Sequence, residues 1–155
     1  MQFHERIEMQ ASPDYLFARL TDTAAIAERM GGHGIQLRRS DRGTDLAGAV
    51  FDCDLRIRGR EMRATVCVTE VVADRRVAFR GEMQGFRTEG AIEIEALGAD
   101  RCAAVVGVAL TPHGLRARLF APTLRMMQGR ITARAKKLLR RFRARIETGY
   151  RAATG

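Results

Sequence analysis

The sequence predicts an α+β fold in which a curved antiparallel sheet wraps around one long C-terminal helix, in the order β-α-α-β6-α. Three observations predict it. Residues 35 to 111 alternate apolar and polar with a period of two, in short runs separated by turn residues, as antiparallel strands with one wet face do. Leu124, Met127, Ile131, Ala135, Leu138, Phe142 and Ile146 are spaced three or four apart, which makes one apolar stripe on a helix. The length of 155 residues fits a single domain spanning 1–155, able to bury a substantial core.

The elements follow in order. Phe3, Ile7 and Met9 alternate with His4, Arg6 and Glu8, so residues 2 to 9 read as a strand, with Glu5 the exception on the apolar parity. Ser12 is a good N-cap, Pro13 suits the first helical position and Asp14 suits the positive end of the dipole. A short helix to about Leu20 follows. Thr23 is expected to cap a second helix that Gly31 and Gly32 end. Strands then run through Phe51, Cys53, Leu55 and Ile57, through Met62, Ala64, Val66 and Val68, and through Val77, Phe79, Gly81 and Met83. Gln84-Gly85 turns the chain into Phe86, Thr88, Gly90, Ile92 and Ile94, and Arg101 to Leu110 is the last strand. The closing helix begins near Leu115, with a bend expected at Pro122. A sheet with one apolar face needs a cover, and the helical stripe supplies it. Strong curvature holds the sheet off the helix and leaves room for an internal pocket.

Charge is unevenly placed. From His113 onward twelve Lys and Arg stand against one acid, Glu147, whereas the preceding residues carry 15 basic and 17 acidic side chains. The basic residues Arg130, Lys136, Lys137, Arg140, Arg141 and Arg143 fall away from the apolar stripe and read mainly as its solvated side, with weak attraction to an anionic membrane as the further reading. Base-stacking aromatics do not interleave with them, so nucleic acid is not the expected partner. No run approaches a membrane span, and MQFHERIEMQ lacks the apolar core of a signal peptide. The three cysteines are odd in number and widely spaced, which fits reduced thiols in the cytoplasm. Zinc needs ligands in close pairs, and none occur. No metal and no cofactor is expected.

Four stretches carry a resemblance to a known family. They are the opening strand running into ASPDYLFARLTD, the sheet stretch GAVFDCDLRIRGREMRATVCVTEVVADRRVAFRGE, FRTEGAIEIEAL, and the closing HGLRARLFAPTLRMMQGRITARAKKLLRRFRARIE. Together they resemble the START-like helix-grip superfamily, also called SRPBCC, in its bacterial polyketide cyclase/dehydrase and lipid-transport branch. The resemblance implies a cavity between sheet and last helix that takes an apolar or amphipathic small molecule. The coenzyme-Q-binding subgroup has aromatic and proline residues where this chain has TDTAAIAERMGG. No catalytic set of the cyclases is matched.

The ligand-binding candidates are the inward strand residues Phe51, Cys53, Leu55, Met62, Val66, Phe79, Met83, Phe86 and Ile92, joined by Met127, Ile131 and Leu138 from the helix. Gly81 and Gly90 share that parity and are expected to leave space or mark bulges. His33, in the Gly-rich GGHG loop, is the one candidate general base. Cys53 and Cys102 read as small buried hydrophobes. Asp52, Asp54, Glu93 and Glu95 lie on the outward parity as solubilising charges. The function expected is non-covalent binding of a hydrophobic small molecule by a carrier or sensor. A cyclase- or dehydrase-like enzyme using the same cavity is the alternative, and a basic membrane-binding surface module a third.

Overall fold

A computed structural model describes residues 1–57 and 59–155. Strand β1 (Gln2–Met9) leads into helices α1 (Pro13–Thr21) and α2 (Thr23–Gly31). Six strands follow: β2 (Gln36–Arg39), β3 (Val50–Ile57), β4 (Arg60–Val72), β5 (Arg76–Met83), β6 (Phe86–Gly98) and β7 (Arg101–Pro112). Helix α3 (Leu115–Thr154) closes the chain. Of the expected β3 alternation, Arg58 and the side chain of Ile57 lie outside the described residues.

Local chemistry sets the early boundaries. Ser12 Oγ accepts from the Tyr15 N–H at 3.4 Å, with Pro13 opening α1. The cap of α2 is Asp22 rather than Thr23. Its carboxylate accepts from the Ala25 N–H at 3.1 Å, so Thr23 is already helical. An aspartate caps as well as a threonine or better, and here it stands one residue earlier.

The strands form one curved antiparallel sheet in the order β1-β7-β6-β5-β4-β3-β2. From β2 to β7 it is a meander, and α1 and α2 carry the chain from one edge strand to the other. Two register shifts, between Val68 and Glu70 and between Ala96 and Gly98, add local twist and bending. The β5–β6 turn has positive φ at both Gln84 and Gly85, the conformation that matches strand twist in a two-residue hairpin.

The register sorts side chains to two faces. Phe51, Val66, Gly81, Thr88 and Leu110 form one cross-strand row, and Val68, Phe79, Gly90, Val108 and Phe3 the next. This inner face carries the main core, where Ile7, Met9, Ile94, Cys102 and Ala104 meet Leu16 of α1 and Ile146 of α3, with Leu139, Phe142 and Tyr150 packed alongside. A second, smaller core joins Ala49, Phe51 and Val68 to Leu37, Leu46, Val71 and Val77. The outer face holds the ion pairs: Arg6 with Glu8 at 2.9 Å and Glu95 at 3.1 Å, Arg38 with Asp54 at 2.8 Å, and Arg76 with Glu70 at 3.2 Å and with Glu93.

Helix α3 begins after Gly114, whose φ of 102° favours glycine. It runs as one 40-residue element, about 60 Å long at 1.5 Å per residue. It continues through Pro122, whose ring removes the hydrogen bond to the Arg118 carbonyl without ending the helix.

Candidate functional site

The candidate site is the inner face of the sheet between the two cores. Helix α3 meets the rest of the protein chiefly near its ends. Ala117 is buried against the Gly85 hairpin, and a Cβ added to Gly85 would stand 3.3 Å from it. At the other end Leu139, Phe142, Ile146 and Tyr150 pack on β1, β7 and α1. Tyr15 and Tyr150 make an edge-to-face pair at 5.2 Å. A Cβ on Gly149 would lie 2.5 Å from the Tyr15 hydroxyl, so only glycine lets α1 approach that closely. Between the two ends, Ala121, Leu124, Met127, Ile131 and Ala135 are half-buried. They face a sheet whose Leu55, Met62, Val66, Phe79, Met83 and Phe86 are also half-buried and belong to neither core. The space between these two surfaces is the candidate groove.

The candidate lining residues of the sheet do share one face, but they do not share one environment. Phe51 is buried in the second core and Ile92 packs on the first. Cys53 is buried. Leu138 is 56% exposed at the edge of α3, and its neighbour Leu139 packs on the core instead. Both leucines satisfy a spacing of three or four, so the stripe alone does not fix the phase of the helix.

Gly90 leaves no free space. A Cβ there would sit 2.5 Å from Cζ of Phe79 and 2.9 Å from the Gly107 carbonyl oxygen. The Phe79 ring lies over the glycine directly opposite it in the ladder, as aromatic side chains do when they cover a strand glycine. At Gly81 the Cγ2 of Thr88 comes within 2.9 Å of such a Cβ.

One charged pair links the basic surface of α3 to the apolar parity of β1. Lys136 Nζ stands 3.7 Å from a carboxylate oxygen of Glu5, the one acid on the apolar parity of β1. Lys136 is itself exposed, so it stays on the basic surface while its ammonium reaches the edge of β1. Arg143 is half-buried and lies 4.0 Å from Glu147. Arg130, Lys137, Arg140 and Arg141 are exposed. Of the acids read as solubilising, Asp54, Glu93 and Glu95 are ion-paired to strand arginines.

Two concavities of about 620 Å³ each lie at other places. One is a trough on the outer face, floored by Ala78, Ala91, Gly107 and Ala109 and rimmed by His4, Arg80 and Glu89. The other, beside Gly34 of the GGHG loop, is lined mainly by Gln36, Asp54, Arg56, Glu61 and Arg63 of the outward parity, with Leu55 and Met62 also touching it. His33 itself is exposed, and its N–H donates to the Met30 carbonyl at 3.0 Å. His113 Nε2 lies 3.2 Å from Arg87. The buried Cys102 thiol is pushed up to about 11 by loss of hydration, and Cys53 is raised by burial and then by Asp54. Both thiols stay protonated near neutrality, as small apolar side chains rather than nucleophiles. Among the described residues no three His, Cys, Asp or Glu come together as metal ligands, and no helix is long and apolar enough to cross a membrane.

A curved antiparallel sheet with a long C-terminal helix docked on its inner face is the helix-grip fold. The family model for polyketide cyclase/dehydrase and lipid transport matches residues 1–147, and the chain belongs to that family. Among solved structures, TTHA0849 from Thermus thermophilus superposes with a TM-score of 0.71 at 16% identity, covering 96% of this chain and 99% of that one. A START superfamily protein from Mycobacterium smegmatis gives 0.58 at 16% identity, covering 88% and 98%. The ZhuI aromatase/cyclase from a Streptomyces species gives 0.60 at 15% identity, covering 74% and 70%. At these identities the likeness is one of fold. No curated protein matches the sequence.

Proposed function

We propose that the groove binds a hydrophobic or amphipathic small molecule without covalent chemistry, and that the protein acts as a carrier or sensor. One observation carries this reading. Leu55, Met62, Val66, Phe79, Met83 and Phe86 share the inner face but remain half-exposed and join neither core. An apolar ligand covering them gains roughly 25 cal/mol for each Å² removed from water. The ion pair of Glu5 and Lys136 supplies a polar point for a head group, in keeping with sites that are mostly apolar with few placed polar groups. The free thiols Cys53, Cys67 and Cys102 are consistent with a reducing cytoplasmic setting.

The test is to incubate the purified protein with a small-molecule extract of its source cells and to identify what it retains by native mass spectrometry. Val66→Trp and Met83→Trp, which fill the groove from the sheet side, should abolish retention. Retention by both variants at the wild-type level would sink the reading.

A cyclase- or dehydrase-like reaction in the same groove is the second reading, in keeping with the matched family model and the likeness of fold to the ZhuI aromatase/cyclase. Its base would be His33 or a buried water. With His33 as the base and a retained compound as substrate, His33→Ala should remove turnover, whereas a carrier keeps its affinity.

A further inference from the structure

We propose that the outer side of α3 from Leu115 to Arg141 is a docking surface for an anionic lipid bilayer. Leu115, Leu119, Pro122, Met126, Arg130, Ala133, Lys137 and Arg141 follow one another at intervals of three or four, and all are exposed. They therefore form a single outward row on the helix. Its first part is apolar and its second part basic. Leu115 is 77% exposed, Leu119 72% and Met126 88%. Three large apolar side chains gathered within about three turns mark a surface built for contact. The apolar stripe on the inner side of α3 is committed to the groove and the core, so this is a second apolar surface on the same helix.

The charge around the row selects the partner. No acid occurs between His113 and Ile146. Among the described residues Arg130, Lys137, Arg140 and Arg141 make no ion pair, whereas strand arginines such as Arg6, Arg38 and Arg76 are paired. A second copy of this chain would oppose like charges along the helix. An anionic bilayer accepts both halves of the row, with leucine and methionine at the acyl boundary and the cations among the head groups. The helix then lies on the membrane rather than across it. On the opposite side of the same turns, Ala121 and Leu124 line the groove. Docking therefore brings the Gly85 end of the groove to the bilayer, and the link to ligand exchange rests on the binding function proposed above.

Vesicle co-sedimentation tests this. The protein should pellet with vesicles of phosphatidylcholine mixed with phosphatidylglycerol, stay in the supernatant with phosphatidylcholine alone, and be released by salt. Leu119→Asp combined with Met126→Asp should lower partitioning about tenfold or more. Leu115→Ser is a milder second variant, expected to act in the same direction. Arg130→Gln with Arg141→Gln should weaken binding severalfold and flatten its salt dependence. These positions are exposed, so circular dichroism should be unchanged. Wild-type-like pelleting by the Leu119/Met126 variant, or equal binding to neutral and anionic vesicles, would overturn the proposal. So would a wild-type dimer in sedimentation velocity that Leu119→Asp dissolves while vesicles are ignored, since the row would then bind a second copy. Retention of the groove ligand in the absence of vesicles should be the same in these variants as in wild type. Loss of vesicle binding with retention intact is thus separable from failure of the groove itself.

Discussion

Replacing Gly90 by Ala tests how the groove wall is built. The new Cβ would be 2.5 Å from Cζ and 3.0 Å from Cε2 of Phe79, and 2.9 Å from the backbone oxygen of Gly107. Carbon atoms in contact prefer about 3.5–4.0 Å, so the overlap is about 1 Å. The Gly107 carbonyl is held in the β6–β7 ladder and cannot yield cheaply. The Phe79 ring must therefore swing into the groove. Overpacking of this kind costs about 1–3 kcal/mol, and the lower entropy of the unfolded alanine chain offsets about 0.4–1 kcal/mol of it. A net loss of about 1–2 kcal/mol corresponds to a fall in Tm of about 2–8 °C for a chain of this size. Thermal unfolding of wild type, Gly90→Ala, Phe79→Leu and the double variant completes a cycle. A clash with the ring predicts that the double variant is more stable than the sum of the single effects by about 1 kcal/mol. Additivity within about 0.5 kcal/mol would show that the ring does not limit the space at Gly90. The displaced ring should also reduce ligand retention by Gly90→Ala.

Two further perturbations follow from the packing and the charges. Leu139→Ala should destabilise by about 1–3 kcal/mol because Leu139 packs on the main core, while Leu138→Ala should stay within about 0.5 kcal/mol. Chemical denaturation that gives equal losses would reject the helix phase described here. Asp41 accepts from Arg39 at 2.7 and 3.0 Å, from the Val50 N–H at 3.0 Å and from the Gly43 N–H at 2.9 Å. These contacts, that to Arg39 foremost, hold its carboxyl well below the usual carboxylate range. A depressed folded-state pKa contributes stability above the unfolded value of about 3.9, and that contribution fades as pH falls toward the folded value. Asp41→Asn removes the charge facing Arg39 and turns an NH2 group toward one of the two backbone N–H donors, which bind different oxygens of the carboxylate. Its Tm deficit should be largest near pH 7 and shrink below about pH 4. A deficit that does not change with pH would reject the ionic account.

Much of the site was legible because strand chemistry is local. A period of two put Phe51, Cys53, Leu55, Met62, Val66, Phe79, Met83, Phe86 and Ile92 on one parity, and the ladder registers place them on one face. Gln84-Gly85 gave the hairpin because that turn needs positive φ at both residues, and Ser12 gave the first cap. What was missed was long-range. Lys136 is exposed, as its place on the helix implies, but helix spacing does not show its partner, a carboxylate on β1, 131 positions earlier in the chain. Gly90 read as space, but the ring that fills it comes from the facing strand.

The sequence by itself determined the order of elements, the apolar parity of each strand and the amphipathic character of the last helix, because each depends on side chains within a few residues of one another. Only the tertiary structure decided which angular sector of α3 turns inward. An intrahelical spacing of three and four is satisfied by Leu138 and Leu139 alike, and by an outer row of Leu115, Leu119 and Met126 as readily as by the inner one. The docking of Leu139, Phe142 and Ile146 on β1, β7 and α1 fixes the rotation of the helix. That rotation leaves one apolar row over the groove and the other facing solvent.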